Sequence, residues 1–281
     1  MIVGAMSLGF WACAVEPSQS DPTPSDTGPA SMPWLSDAEP APSWTADQVA
    51  DAIAEALAPG LPDAGHPVQT YLALMARGDD DCPGHDTQLT KAVIHGCESQ
   101  DGTWFEGISE YESGPVDGIE GAEREALGGD FQIIDPSGGR LVAGGYAAST
   151  AYETADGTDW QMVLSGSWLS TPSDTALDTE NSLLLEATVD HAGVLTLAGS
   201  WGAGGHHLYF EALVFDPGCE AHPTGQLQVR EPAGSWYTVA LSDPCLGCGP
   251  VTWGDGQDLG EVCVDLRQAG QDLAARVVGE P

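Results

Sequence analysis

Three apolar residues, Val49, Ile53 and Leu57, recur at a spacing of four in the stretch that follows Thr45. That period sets them on one face of an α-helix; Thr45 with Gln48 forms a capping box at its start, and Pro59-Gly60 ends it. A second helix is expected over 67–77, with Val68, Tyr71, Leu72 and Met75 on one face and Gly78 beyond its end. From Trp104 onward the period becomes two. The clearest instance is Leu183, Leu185, Ala187 and Val189 alternating with Leu184, Glu186, Thr188 and Asp190, after which His191-Ala192-Gly193 turns the chain and Val194 to Trp201 returns. Further strands are expected over 131–135, 140–145, 160–169, 207–215, 227–231, 236–242 and 259–264, and a short terminal helix over 266–277. About nine strands with no helices between them predict a mainly β fold. Its expected form is an antiparallel meander, sandwich or partly closed barrel, with a helical lead-in over 44–78 and a β-rich part over 79–281.

The tripeptide Gly-Ser-Trp occurs at 166–168, 199–201 and 234–236, each time within or beside an expected strand. Such a spacing either marks a duplicated hairpin unit or reflects Trp packing beside a small residue at three separate places. The first two copies share an apolar residue and a small one in front, Leu164-Ser165 and Leu197-Ala198, whereas Pro232-Ala233 precede the third.

Charge changes the picture of partners. Forty-three Asp and Glu stand against seven Lys and Arg, and the formal net charge of −36 repels a phosphate backbone, so nucleic acid is excluded as a partner. With 42% hydrophobic residues and nine Trp, the chain still has the means to bury a core.

Residues 1–12 form a charge-free apolar run, too short to span a bilayer and suited to the apolar region of a signal peptide. It ends in Ala12-Cys13. A small residue directly before a Cys at the close of such a run resembles the lipobox of bacterial lipoproteins, with Phe10 and Trp11 bulkier than that pattern and no basic residue ahead of the run. The resemblance implies a diacylglycerol on Cys13 and a membrane as partner, with the protein in the cell envelope, on the outer membrane or at the cell surface. Residues 14–43 are rich in Pro, Ser, Asp, Thr and Gly, the composition of a disordered tether, so the folded domain is expected over 44–281.

Six cysteines remain: Cys82, Cys97, Cys219, Cys245, Cys248 and Cys263. An even number in an exported chain implies disulfides. Cys82 with Cys97 is the natural local bridge, and Cys219 and Cys263 are each expected to take a partner from the Cys245–Cys248 turn. The competing reading is zinc, held by Cys82, His85, His95 and Cys97, or by Cys219, His222, Cys245 and Cys248. A CxxC redox pair at Cys245 and Cys248 lacks the helix N-terminus that would lower a thiol pKa. No cofactor is expected; calcium is the ion the acidic loops would suit, with Asp79, Asp80, Asp81 and Asp86, or Asp255, Asp258 and Glu261, as the candidate ligands, and neither cluster has the loop spacing of an EF-hand. His206 and His207, adjacent on an expected strand, point to opposite faces and cannot share an ion.

Catalytic motifs are missing. There is no G-x-S-x-G elbow, no H-E-x-x-H, no phosphate loop and no dinucleotide fingerprint, and Ser200, the nearest approach to an elbow, lies in a hairpin. The expectation is therefore a non-catalytic binding or adhesion module of an acidic surface lipoprotein. The alternative is an exported hydrolase acting on carbohydrate, whose two carboxylates need no local spacing.

Overall fold

The computed structural model of the protein describes residues 41–86, 91–171, 183–203, 205–219, 222–232, 234–242, 245–254 and 256–279. Cys13 and the stretch up to residue 40 lie outside the described residues.

Helix α1 spans Ala46–Leu57 and buries Val49, Ala52, Ile53 and Ala56. Both limbs of its capping box form: the Thr45 amide donates to Gln48 Oε1 at 2.9 Å and the Gln48 amide to Thr45 Oγ1 at 3.4 Å. Helix α2 spans Gly65–Met75, starting two residues before Pro67 because Asp63 Oδ1 accepts the His66 amide at 2.8 Å and satisfies one of the helix's open donors.

Among the described residues thirteen strands follow: β1 (His85–Asp86), β2 (Lys91–Glu98), β3 (Trp104–Pro115), β4 (Ala122–Ile134), β5 (Arg140–Glu153), β6 (Thr158–Thr171), β7 (Leu183–Val189), β8 (Leu195–Ala203), β9 (His206–Phe215), β10 (Pro223–Arg230), β11 (Trp236–Leu241), β12 (Cys248–Trp253) and β13 (Gln257–Cys263). Helix α3, Arg267–Val277, closes the chain. Every strand pairs antiparallel with its neighbour in sequence, giving one sheet in the order β1 to β13. Among the described residues β1 and β13 do not meet, so of the three expected β forms the open meander is realised.

In-strand glycines explain why the sheet departs from the expected strand lengths. Strands β4, β5 and β6 run 13, 14 and 14 residues, through glycines that read as breaks in the sequence. Gly129, Gly145 and Gly166 are direct cross-strand partners. A Cβ on Gly145 would lie 2.1 Å from the Ser165 carbonyl oxygen, and one on Gly166 2.2 Å from that of Gly144. Neighbouring backbones thus approach where only glycine fits. Gly166 and Gly199 carry φ of +90° and +115°, each two residues before a buried Trp, Trp168 at 1% and Trp201 at 6% exposure. The third Gly-Ser-Trp differs: Gly234 belongs to the β10–β11 turn and Trp236 is exposed. Two copies are therefore equivalent, and the third is not.

Strands β1, β2, β3 and β12 lie outside the segments expected to be strands. In β3 the inward positions include Gly107 and Ser109 while Ile108 faces out at 52% exposure, which blurs the alternation; in β12, Gly249-Pro250 reads as a turn. Elsewhere the period holds. Strand β7 alternates buried and exposed at every residue, and Asp190 shapes the following turn by accepting the Ala192 and Val194 amides at 2.9 Å.

The inward side chains of the sheet and all three helices share one core. Helix α1 packs on β8–β10 and β13, α2 on β4–β6, and α3 on β6 and β7. The chain enters this body through a buried polar clasp. Ser43 Oγ donates to the Glu231 carboxylate, itself 4% exposed, and the Tyr237 hydroxyl accepts the amides of Ser43 and Trp44 at 3.0 and 3.1 Å. Tyr237 also donates to Glu231 at 3.3 Å, and Trp44 stacks on its ring at 5.3 Å.

Three disulfides staple the domain: Cys82–Cys97, Cys219–Cys245 and Cys248–Cys263. They suit an oxidising, exported environment. No described helix is long and apolar enough to cross a membrane.

Candidate functional site

A cleft of about 760 Å³ opens where the start of α2, the ends of β3–β6 and the last turn of α3 converge. Its position follows from the meander: β3 and β4, and β5 and β6, turn beside Asp63–Gln69, and α3 brings Arg276 across from the far end of the chain. Trp160 and Met162, two apart on β6, supply its apolar surface. Carboxylates come from Asp63, Glu123 and Glu125, cations from Arg124 and Arg276, and His66 stands at the helix start.

Neighbours hold most of these polar groups in place. Arg276 Nη1 lies 3.5 Å from Asp63 Oδ2, its Nη2 donates to the Leu61 carbonyl at 2.8 Å, and its Nε donates to the Asp272 carbonyl at 3.1 Å. Arg124 Nη2 donates to Glu112 Oε2 at 2.7 Å. Tyr111 donates to Glu125 Oε1 at 2.7 Å, and its hydroxyl is pushed above the usual phenol range, first by burial and then by that bond to the carboxylate. The result is a prearranged set of planar charged groups around an indole. Two of the chain's seven Lys and Arg lie here, in a molecule where cations are scarce.

A hydroxyl–imidazole pair also borders the cleft, His66 Nε2 lying 3.2 Å from Ser170 Oγ. Ser170 is 1% exposed and does not line the cleft, so the pair fixes the start of α2 to β6 and presents no nucleophile to solvent.

The residues singled out from the sequence lie elsewhere. Asp79 is an organiser of its own loop: Oδ1 accepts the amides of Asp81 and Cys82 at 3.0 and 2.9 Å, and Oδ2 accepts that of Gln100 at 2.7 Å. The Gln100 amide foremost, with the other two, holds its carboxyl below the usual carboxylate range. Asp80 and Asp81 are exposed beside it. The side chain of Asp86, and Asp255 altogether, lie outside the described residues, as do the side chains of His85 and His95. Asp258 accepts the Gly260 amide at 2.8 Å, and Glu261 is exposed on β13. Among the described residues no three His, Cys, Asp or Glu side chains converge as a metal site requires. The thiols that a zinc set would use are consumed in the disulfides. His206 turns to Glu55 at 3.3 Å and to the Trp44 ring at 5.8 Å, while Ser200 sits mid-strand opposite Leu184 and Tyr209.

Sequence reasoning missed Asp63, His66, Arg124, Trp160 and Arg276 because the fold, not local spacing, gathers them. The rarity of arginine is the one signal that points toward them. No family model, no curated protein and no solved structure matches this chain.

Proposed function

We propose that the protein is an exported, non-catalytic binding protein that takes a neutral carbohydrate in the cleft beside Trp160. The observation that carries this reading is the pairing of one partly exposed indole with carboxylate and guanidinium groups that neighbours already hold in place. An aromatic face packs on the C–H face of a sugar ring, and planar charged groups hydrogen-bond its hydroxyls two at a time. A net charge of −36 selects against anionic ligands. Titration calorimetry against a panel of neutral mono- and oligosaccharides tests it. Trp160→Ala is expected to weaken the best ligand roughly 30-fold, about 2 kcal/mol of lost stacking and apolar burial. Equal affinity in wild type and variant, or no binding across the panel, would reject the carbohydrate reading.

One observation favours a hydrolase as the second reading: Glu123 and Glu125, two apart on β4, both line the cleft. The expected result is that a bound oligosaccharide is recovered intact. Release of reducing ends that disappears in Glu123→Gln would make the protein an enzyme.

The membrane anchor belongs to the same proposal. Ala12-Cys13 at the end of an apolar run, followed by tether composition over 14–43, supports a lipid on Cys13. Labelling cells with a fatty-acid analogue is expected to mark the wild type and spare Cys13→Ser; equal labelling of both would remove the anchor.

A further inference from the structure

A second, smaller concavity lies on the other side of α3, where the helix crosses the β7–β8 turn and the end of β9. It measures about 390 Å³. Val189, Leu195 and Phe215, each no more than 4% exposed, form its inner wall, and Ala274 of α3 with Val278 just past the helix end forms the outer one. Among the described residues no charged side chain lines it, although 18% of the chain is charged, and Gln271 supplies a side-chain amide. Its depth is set by a close approach: a Cβ on Gly270 would fall 2.3 Å from Phe215 Cδ1, so only glycine lets the helix sit this near the ring.

We infer that this pocket is a binding site for a small, neutral, apolar molecule carrying at most one hydrogen-bonding group, which Gln271 meets. Apolar pockets of this size gain little from water, whose hydrogen bonds the walls cannot replace, and bind apolar ligands instead. The volume equals roughly thirteen waters at about 30 Å³ each, room for a ring system or a medium-length alkyl chain. Charge fixes the remaining property. A fatty acid or other anionic amphiphile would bring its negative group to a wall without a described cation, in a molecule of net charge −36, and an ammonium buried there would meet no carboxylate among the described lining residues, so a neutral ligand fits best.

The test uses two probes that share their rings and differ in charge, N-phenyl-1-naphthylamine and 1-anilinonaphthalene-8-sulfonate, titrated into the full-length protein. The neutral probe is expected to saturate one site and the sulfonate to bind at least tenfold more weakly. Ala274→Phe fills the pocket from the helix side and should weaken the neutral probe at least tenfold. Val278→Phe, near the end of the chain, fills it from the rim with less risk to folding and should do the same. Leu184→Asp removes a large exposed apolar residue of the outer sheet face, 48% exposed, and should leave the probe bound as tightly as before. Absence of saturable binding, equal affinity for both probes, or loss in Leu184→Asp but in neither filling variant would overturn the inference. The carbohydrate cleft is read separately, so either site can fail without the other.

Discussion

Replacing Gly166 by alanine is expected to destabilise the domain by about 3 kcal/mol, from two independent costs. At φ +90° a Cβ is strained wherever it points, and here it points at the β5 backbone, 2.2 Å from the Gly144 oxygen and 2.5 Å from Gly145 Cα. Backbone in the middle of a sheet cannot rotate aside as a side chain does. For a domain of this size the melting temperature should fall by roughly 6–12 °C. Gly144→Ala is the internal control: its Cβ would meet nothing within 4 Å, so it should be close to neutral. Urea unfolding of both variants separates the costs. Similar midpoints would mean that the sheet absorbs the contact and that the close approach does not demand glycine.

Reduction of the three disulfides should abolish cooperative melting above room temperature. Cys82–Cys97 and Cys248–Cys263 close spans of 15 residues and Cys219–Cys245 one of 26. Each contributes about 3 kcal/mol in the chain-entropy model, and the sum of about 9 rivals the 5–15 kcal/mol by which whole domains are stable. The effect should be felt first at the C-terminal edge of the sheet. Strand β13 buries only Val262, and Cys263 sits directly opposite Cys248 in the register, so the bridge substitutes for the packing this strand lacks. Hydrogen exchange on Cys248→Ala/Cys263→Ala should show β13 losing protection before β4–β6. A reduced, alkylated protein that melts within a few degrees of the oxidised one would contradict both statements.

What could be read in the sequence was local. The α1 capping box needs only Thr45 and Gln48, the β7–β8 hairpin only its own alternation and Asp190, and each disulfide joins cysteines close in the chain. Where physics is non-local the reading stopped. In-strand glycines such as Gly145 and Gly166 look like strand ends until the neighbouring backbone that demands them is known, which is why β4–β6 are longer than expected. An outward Ile108 opposite inward Ser109 hid β3 in the same way. The cleft is the extreme case, since Asp63, Arg124, Trp160 and Arg276 come from four distant segments with nothing in common but where the chain later carries them.

Connectivity of this kind also sets the order in which the domain can be made. Because each strand needs only the one just before it, a chain delivered N-terminus first, as through a translocation pore, can zip its sheet strand by strand, and each disulfide can form soon after its second cysteine emerges. Contacts between the two ends of the domain cannot be made early. Ser43 and Trp44 must wait for Glu231 and Tyr237, 188 and 193 residues downstream, before the clasp at the domain entrance closes. The first residues of the domain are thus among the last to be secured, and a chain truncated before β11 would lack Tyr237, which holds the amides of Ser43 and Trp44.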